Sequence, residues 1–177
     1  VYSNGLTVAV NGHPDENWAV DGMVLPPNGW LARSQDGELL AYSALVDGRR
    51  ADYVDSPAYV YADGRGRFTR FPKAACDGQL IAHKREDGRL EVIPVGECRE
   101  FAIGLDGRSA DVTALDEEGT EIGSPEIRYS RGLVHILPVP RAFSYVVSPR
   151  EERPHGLDCP RTQVVPGETV VVQGTEA

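Results

Sequence analysis

The sequence has little of what marks membrane proteins or nucleic-acid-binding proteins. No stretch of its 177 residues approaches the run of about 18 apolar residues that a membrane-spanning helix needs. Its 18 Lys and Arg are outnumbered by 27 Asp and Glu, which gives a net charge of −9. Because non-specific binding to nucleic acid depends on positive side chains that replace counterions, the composition predicts neither a membrane span nor a nucleic-acid partner.

Cysteine is also scarce. The three cysteines, Cys76, Cys98 and Cys159, are too few and too widely spaced for a disulfide framework. Their odd number allows at most one pair and leaves at least one free thiol. No Cys-x-x-Cys motif occurs, and no histidine stands at a metal-ligand spacing from a cysteine. We therefore expect unlinked thiols, some of them buried as small apolar side chains.

Long segments free of glycine and proline are missing as well, which limits helix length. The longest is residues 108–118, whereas an average helix already needs about 11 or 12 residues. Ten of the 19 glycines follow Asp or Asn, and these dipeptides best tolerate the positive φ of tight hairpin turns. The ten are Gly5, Gly12, Gly22, Gly29, Gly37, Gly48, Gly64, Gly78, Gly88 and Gly107. The sequence thus excludes a helix-rich fold.

Between these turns the apolar residues alternate with polar ones, which is typical of β-strands. Segments 80–84 and 90–93 flank Asp87-Gly88 and predict a hairpin, and segments 133–137 and 142–147 predict a later pair. About a dozen mostly antiparallel strands indicate a sandwich or barrel. The predicted class is all-β, an antiparallel β-sandwich followed by a smaller Ig-like or fibronectin-like sandwich.

Changes in composition predict where these units meet. Nine of the thirteen aromatic residues occur by residue 71, and a charged, proline-bounded stretch follows residue 148. We predict a β-sandwich domain over 1–96, an Ig-like β-domain over 97–148, and a linker with a terminal strand or tail over 149–177. Residue 1 is Val and no basic and apolar leader follows it, so we expect a piece of a larger protein.

Three segments of the first 95 residues carry a resemblance to known proteins. Segment 1–11 reads VYSNGLTVAVN, segment 18–32 combines a strand with a Pro-rich corner and a Gly-Trp step, and segment 51–66 reads ADYVDSPAYVYADGRG. Together they resemble the accessory β-sandwich domains that follow the catalytic (β/α)8 barrel in multidomain bacterial glycoside hydrolases. The resemblance implies that the catalytic carboxylates belong to a partner domain of the parent polypeptide. It also implies an extracellular or periplasmic location if that parent is secreted.

Three functions remain open at this point. The first is a non-catalytic accessory β-domain of a carbohydrate-active enzyme, a scaffold that packs on a catalytic domain and contacts sugar. The second is a free-standing carbohydrate-binding module for a polysaccharide or oligosaccharide. The third is a small hydrolase or lyase on a β scaffold, for which Asp52 with Asp55, or Asp55 with Asp63, would supply the two carboxylates that glycoside hydrolysis needs. No residue is assigned as catalytic.

Aromatic side chains with a neighbouring cation give the predicted sugar site. Aromatic faces stack on the apolar faces of sugar rings, and polar groups fix the hydroxyls. The candidates are Trp18, Trp30, Tyr59, Tyr61 and Arg65. Tyr59 and Tyr61 stand two residues apart and so share one face of a strand. The competing interpretation places these aromatics in the core of the sandwich.

Calcium is the only cofactor that the sequence suggests. Hard cations need several oxygen ligands on turning backbone, and Asp47, Asp52, Asp55 and Asp63 supply carboxylates near predicted turns. The Asp-x-Asp-x-Asp-Gly loop of an EF-hand is absent. The alternative interpretation is that these residues simply form solvated hairpin turns.

Overall fold

The structure, a computed structural model, describes residues 2, 5–105 and 109–150, together with the backbone of 157–158 and 173–174. Every regular element in this part of the chain is a β-strand. Closely spaced glycines and prolines interrupt the chain before a helix can complete its turns. The all-β, antiparallel class predicted from the sequence is therefore confirmed.

The described residues form nineteen short strands, and many of the glycines lie in the turns between them. In chain order the strands are β1 (Leu6–Val10), β2 (Trp18–Val20), β3 (Met23–Leu25), β4 (Trp30–Ser34), β5 (Leu40–Val46), β6 (Arg49–Asp55), β7 (Tyr59–Asp63), β8 (Thr69–Arg70), β9 (Ala74–Cys76), β10 (Gln79–Lys84), β11 (Leu90–Val95), β12 (Phe101–Gly104), β13 (Ser109–Leu115), β14 (Glu121–Gly123), β15 (Ile127–Ser130), β16 (Leu133–Ile136), β17 (Ser144–Arg150), β18 (Leu157–Asp158) and β19 (Gln173–Gly174).

Two sheets contain almost all of these strands. The large sheet has twelve strands in the order β1-β4-β5-β6-β7-β10-β11-β17-β13-β14, and the β2–β3 hairpin joins it at β5. The second sheet has five strands in the order β15-β16-β12-β9-β8, and β18 pairs with β19 separately. All strand pairs are antiparallel (β10 with β11 is one example). Such large antiparallel sheets are consistent with a sandwich.

One hydrophobic cluster joins the two sheets. Alternate side chains of the large sheet point inward, as the period of two along a strand requires. Tyr53 and Tyr145 of that sheet are fully buried, and Phe101 of the second sheet lies 5.3 Å from the Tyr145 ring. Tyr53 in turn stacks on Phe71, with 5.4 Å between ring centroids. The core is thus built from both halves of the sequence.

Strands from both sides of residue 96 share the same sheets. β11 is hydrogen-bonded to β17 in the large sheet, and β9 is hydrogen-bonded to β12 in the second sheet. The strands predicted to form a smaller Ig-like unit are therefore divided between the two sheets. The Ig-like description and the boundary at residue 96 remain predictions.

The hairpin predictions had mixed outcomes. The β10–β11 hairpin around Asp87-Gly88 is confirmed, with Lys84 paired to Leu90. The predicted pairing of segments 133–137 and 142–147 is wrong, because β16 lies in the second sheet and β17 in the large sheet. Both segments are strands, but β16 pairs with its sequence neighbour β15 and with β12, whereas β17 pairs with the more distant β11 and β13. The alternation of apolar and polar residues within a segment cannot reveal which strand the segment pairs with, because the partner depends on the sheet to which the chain returns.

The glycine turns divide into two physical groups. Gly5, Gly22, Gly37, Gly48 and Gly88 adopt positive φ as predicted. Gly12, Gly29, Gly64 and Gly78 do not, and Gly107 lies outside the described residues. In this second group Gly64 has a steric role, because a Cβ there would lie 2.2 Å from the Cys76 carbonyl oxygen.

The tail predicted over 149–177 falls almost entirely outside the described residues, as does Cys159. Its first two residues, Pro149 and Arg150, complete β17, and β18 and β19 are the other described parts of its backbone. In the part of the chain that the structure describes, no helix is long and apolar enough to cross a membrane.

Candidate functional site

The outer face of the large sheet carries the predicted aromatic residues and is the best candidate for a binding surface. Directly paired residues in antiparallel strands point to the same side of the sheet. Trp30 pairs with Ser43, Ser43 with Asp52, and Asp52 with Asp63, so these four residues lie in one line on this face. The core side chains lie on the opposite face.

The next line along the strands is apolar from end to end. It joins β1, β4, β5, β6, β7, β10 and β11 through successive register pairs. We call it the apolar row, and it consists of Val8, Ala32, Ala41, Val54, Tyr61, Ile81 and Ile93. Val8 is exposed, Ala41 is buried, and the other five are half-buried. With neighbouring strands about 4.8 Å apart, the row extends for about 29 Å.

One side of the apolar row is bordered by an ion pair. The Arg65 Nη2 lies 2.6 Å from the Asp52 Oδ2, and the Arg65 Nε donates a hydrogen bond to the same oxygen at 2.7 Å. Asp63 accepts a hydrogen bond from the backbone N–H of Arg65 at 2.7 Å. Arg65 can take up this position because it enters a turn with φ of 51°. Its guanidinium is thus held at the edge of the face.

The other side of the apolar row is also polar. Tyr59, His83 and Glu91 pair across β7, β10 and β11. The Arg85 Nη2 donates a hydrogen bond to the Glu91 Oε2 at 2.7 Å, and this bond is the main reason that the pKa of Glu91 is lowered. An apolar centre between polar borders is the arrangement found in protein–protein interfaces.

Tyr61 lies in the apolar row itself, and its phenol is kept in the neutral form. Burial raises the pKa of Tyr61, and the negative charges of Asp63 and Asp52 raise it further, while the positive charge of Arg65 opposes them. A neutral phenol can both donate and accept a hydrogen bond. Tyr61 therefore offers a polar group within an otherwise aliphatic line.

The structure brings together most, but not all, of the predicted sugar-contact residues. Trp30, Tyr59, Tyr61 and Arg65 lie on or at the edge of the outer face, and Trp30 and Tyr59 are exposed. Trp18 pairs with Leu25, a fully buried core residue, so it points to the opposite side of the sheet. Trp18 is still 43% exposed because β2 lies at the periphery. Neither tryptophan is a core residue.

The four predicted calcium ligands lie in three separate places. Asp47 occupies the turn between β5 and β6, Asp52 and Asp63 face outward beside Arg65, and Asp55 faces inward. The Asp55 oxygens lie 2.7 Å from the Lys84 Nζ and 3.0 Å from the Lys73 Nζ. Among the described residues no group of three His, Cys, Asp or Glu side chains could hold a metal ion. Calcium binding therefore stays a prediction. Asp52 is already paired with Arg65, and Asp55 is already paired with Lys73 and Lys84.

The carboxylate pairs considered for glycoside hydrolysis do not converge. Asp52 and Asp55 are three residues apart on β6 and point to opposite faces of the sheet. Asp63 shares the outer face with Asp52 and is likewise separated from Asp55. No reacting group could lie between Asp55 and either of the other two carboxylates in this arrangement.

Sequence reasoning missed the aliphatic members of the apolar row. Val54, Ile81 and Ile93 were visible as strand residues, but each has at least one polar neighbour on the same outer face of its own strand. The row becomes apparent only when the strands are paired in register, because it runs across the strands and not along any one of them.

The chain matches no protein-family model, and neither the curated proteins nor the solved structures with which it was compared include a match.

Proposed function

We propose that this chain is a non-catalytic accessory β-domain of a carbohydrate-active enzyme, and that its outer sheet face packs against a neighbouring domain of the parent polypeptide. The observation that carries the proposal is the apolar row, which extends across seven strands without an interrupting charge. The carbohydrate-active parent is taken from the resemblance of segments 1–11, 18–32 and 51–66. The division into a sandwich over 1–96 and an Ig-like unit over 97–148 is a separate prediction from the sequence, and thermal unfolding of the full chain tests it.

The composition of the apolar row favours a protein partner over sugar as its main contact. Val, Ala and Ile offer flat aliphatic area, which matches another apolar protein surface, whereas sugar binding relies on exposed aromatic rings. β1 forms one edge of the same sheet and contributes Val8 to the row. A domain joined ahead of β1 would therefore be tethered beside the face that it covers.

A carbohydrate-binding module is the second candidate, and a separate observation favours it. Trp30, Tyr59 and Tyr61 share the outer face with Arg65, as a sugar platform would require. Trp30 on β4 and Tyr61 on β7 are three strand spacings apart, or about 14 Å. Such a platform would retain the protein on a polysaccharide gel, and Trp30→Ala would remove that retention while the protein stays folded.

Domain packing is tested by mixing this chain with the catalytic domain of its parent and measuring affinity by calorimetry. The variant is Ile81→Asp, which places a charge within the apolar row, between Tyr61 and Ile93. We expect the affinity to fall at least tenfold, because burying an unpaired carboxylate is strongly unfavourable.

Ile122→Asp is the matched control, because Ile122 is an exposed isoleucine on β14, away from the apolar row. This control is expected to bind like the unchanged protein. Equal binding by both variants, with both folded, would show that the outer face is not the contact surface. Retention on polysaccharide without any affinity for the catalytic domain would favour the carbohydrate-binding module.

A further inference from the structure

We propose that Cys76 and Cys98 form a reversible disulfide when the folded protein meets a small-molecule disulfide of the glutathione class. The bond would join the end of β9 to the segment that leads into β12. Both thiols are free in the structure, and both belong to the hydrophobic core cluster. The two thiols lie in the core, away from the apolar row, although the cleft beside Cys98 also includes Asp63 and Arg65 at the edge of the outer face. The disulfide does not rest on the proposed function.

The two cysteines are brought together by a tight backbone contact. Cys76 Sγ lies 3.1 Å from the Gly78 carbonyl oxygen. A Cβ built on Gly78 would lie 3.0 Å from Cys98 Cα and 3.1 Å from Cys98 Cβ. The backbone of Cys98 therefore rests directly on the turn that follows Cys76. Only glycine allows this approach.

Asp77 holds the Cys98 segment in place from the other side. Its Oδ1 accepts hydrogen bonds from the backbone N–H groups of Arg99 at 2.9 Å and of Glu100 at 3.1 Å. Its own backbone N–H donates to the Glu100 carbonyl at 3.1 Å. The turn after Cys76 and the segment around Cys98 are thus fixed against each other, so the two cysteines are held as neighbours in the folded protein.

The environment of the two thiols differs, which sets the order of the reaction. The interaction between the two thiols lowers the pKa of Cys98 and raises the pKa of Cys76, which burial raises further. Cys98 is 9% exposed and Cys76 is fully buried. Cys98 is therefore the better nucleophile and the more accessible thiol.

An open cleft lies beside the Cys98 segment, and we expect the oxidant to bind there. Glu97 and Arg99, on either side of Cys98, line an open cleft of about 620 Å³ together with Gly78 and Gly96. The Arg99 guanidinium and the Glu97 carboxylate are both highly exposed in that cleft. A small peptide disulfide carries carboxylate and ammonium groups that match such a mixed lining.

The chemistry proceeds by two thiol–disulfide exchanges. The Cys98 thiolate attacks one sulfur of the small disulfide, forms a mixed disulfide and releases one small thiolate. That thiolate takes the proton of Cys76, and the Cys76 thiolate then attacks Cys98 Sγ and releases the second small thiolate, which takes up from water the proton that Cys98 lost on ionising. Two protein thiols are oxidised, and one small disulfide is reduced to two thiols.

The experiment treats the folded chain, carrying Cys159→Ser, with an excess of oxidised glutathione. We expect non-reducing peptide mapping to show a Cys76–Cys98 linkage and both thiols to be lost. Because the bond closes a loop of about 22 residues, we expect Tm to rise by about 5 to 10 °C and to return after reduction.

Two further variants separate the steps. Cys76→Ser should accumulate the mixed disulfide on Cys98, and Cys98→Ser should leave the buried Cys76 unreacted and Tm unchanged. If Cys76→Ser does not fold, rapid acid quenching of the Cys159→Ser protein should still trap the mixed disulfide on Cys98. The proposal is overturned if both thiols stay free in the folded protein, or if they become linked only after unfolding.

Discussion

At the scale of single residues, the local environment decides what each acidic side chain does. Asp55 is partly buried and lies between Lys73 and Lys84, whereas Asp47 is exposed in a turn. Burial by itself would raise the pKa of Asp55, but the hydrogen bonds and charges of the two lysines outweigh it, so the pKa is lowered. Asp55 is therefore a structural ion-pair partner.

This arrangement predicts how stability depends on pH. A pKa that is lowered in the folded state contributes stability above the pKa of the unfolded chain, about 3.9, and that stability is lost as pH falls through the folded pKa. We expect Asp55→Asn to lower the free energy of unfolding at pH 7 by about 1–2 kcal/mol. The difference from the unchanged protein should disappear on acidification towards about pH 2.

Urea unfolding across this pH range provides the measurement. Asp47→Asn is the control, because Asn also tolerates the positive φ of 49° at this exposed position. Its stability relative to the unchanged protein should not vary between neutral and acidic pH. A constant difference for Asp55→Asn over the same range would contradict the role assigned to the two lysines.

At the scale of elements, the end of β7 passes unusually close to β9. A Cβ on Gly64 would lie 2.2 Å from the Cys76 carbonyl oxygen and 2.4 Å from that of Arg67. The Gly64 backbone N–H also donates to the Gly78 carbonyl at 2.9 Å. Gly64 therefore allows the large sheet and the second sheet to approach at this point.

Gly64→Ala is expected to destabilise the protein by about 2–4 kcal/mol, since the backbone must shift to relieve the overlap. Denaturant unfolding monitored by circular dichroism gives the value. Gly12→Ala is a matched substitution, because a Cβ there has no neighbour within 4 Å. Equal stability of the two variants would show that β7 and β9 can move apart without lowering the free energy of unfolding.

Much of the strand pattern could be predicted from sequence, but the pairing could be predicted only where it is local. Asp87-Gly88 fixes a hairpin because the turn and both strands lie within about 17 residues. Strands β16 and β17 are close in sequence, yet β16 pairs with β15 and β12 in one sheet, while β17 pairs with the distant β11 and β13 in the other. Tyr59, Tyr61 and Trp30 could be named as surface candidates, but the face of Trp18 depends on its pairing with Leu25.

At the scale of the whole molecule, the two sheets surround one core. Tyr53, Phe71, Phe101 and Tyr145 come from both sides of residue 96 and belong to a single cluster. Their burial removes apolar area from water only when both sets of strands are in place. The stability of each half therefore depends on the other.

We expect the full chain to unfold in one cooperative transition on heating. Calorimetry and near-ultraviolet circular dichroism should give the same midpoint, and the calorimetric and van't Hoff enthalpies should agree. A fragment of residues 1–96 should show no cooperative transition. Two separate transitions in the full chain, one of them reproduced by the fragment, would support the independent units predicted from the sequence.

The pairing of β11 with β17 and of β9 with β12 has a practical consequence. A polypeptide cut between β11 and β12 yields two pieces, each carrying unsatisfied strand edges that only the other piece complements. Co-expressed as separate chains, they should reassemble by fragment complementation. The same site would then suit a split reporter whose signal requires both pieces to meet.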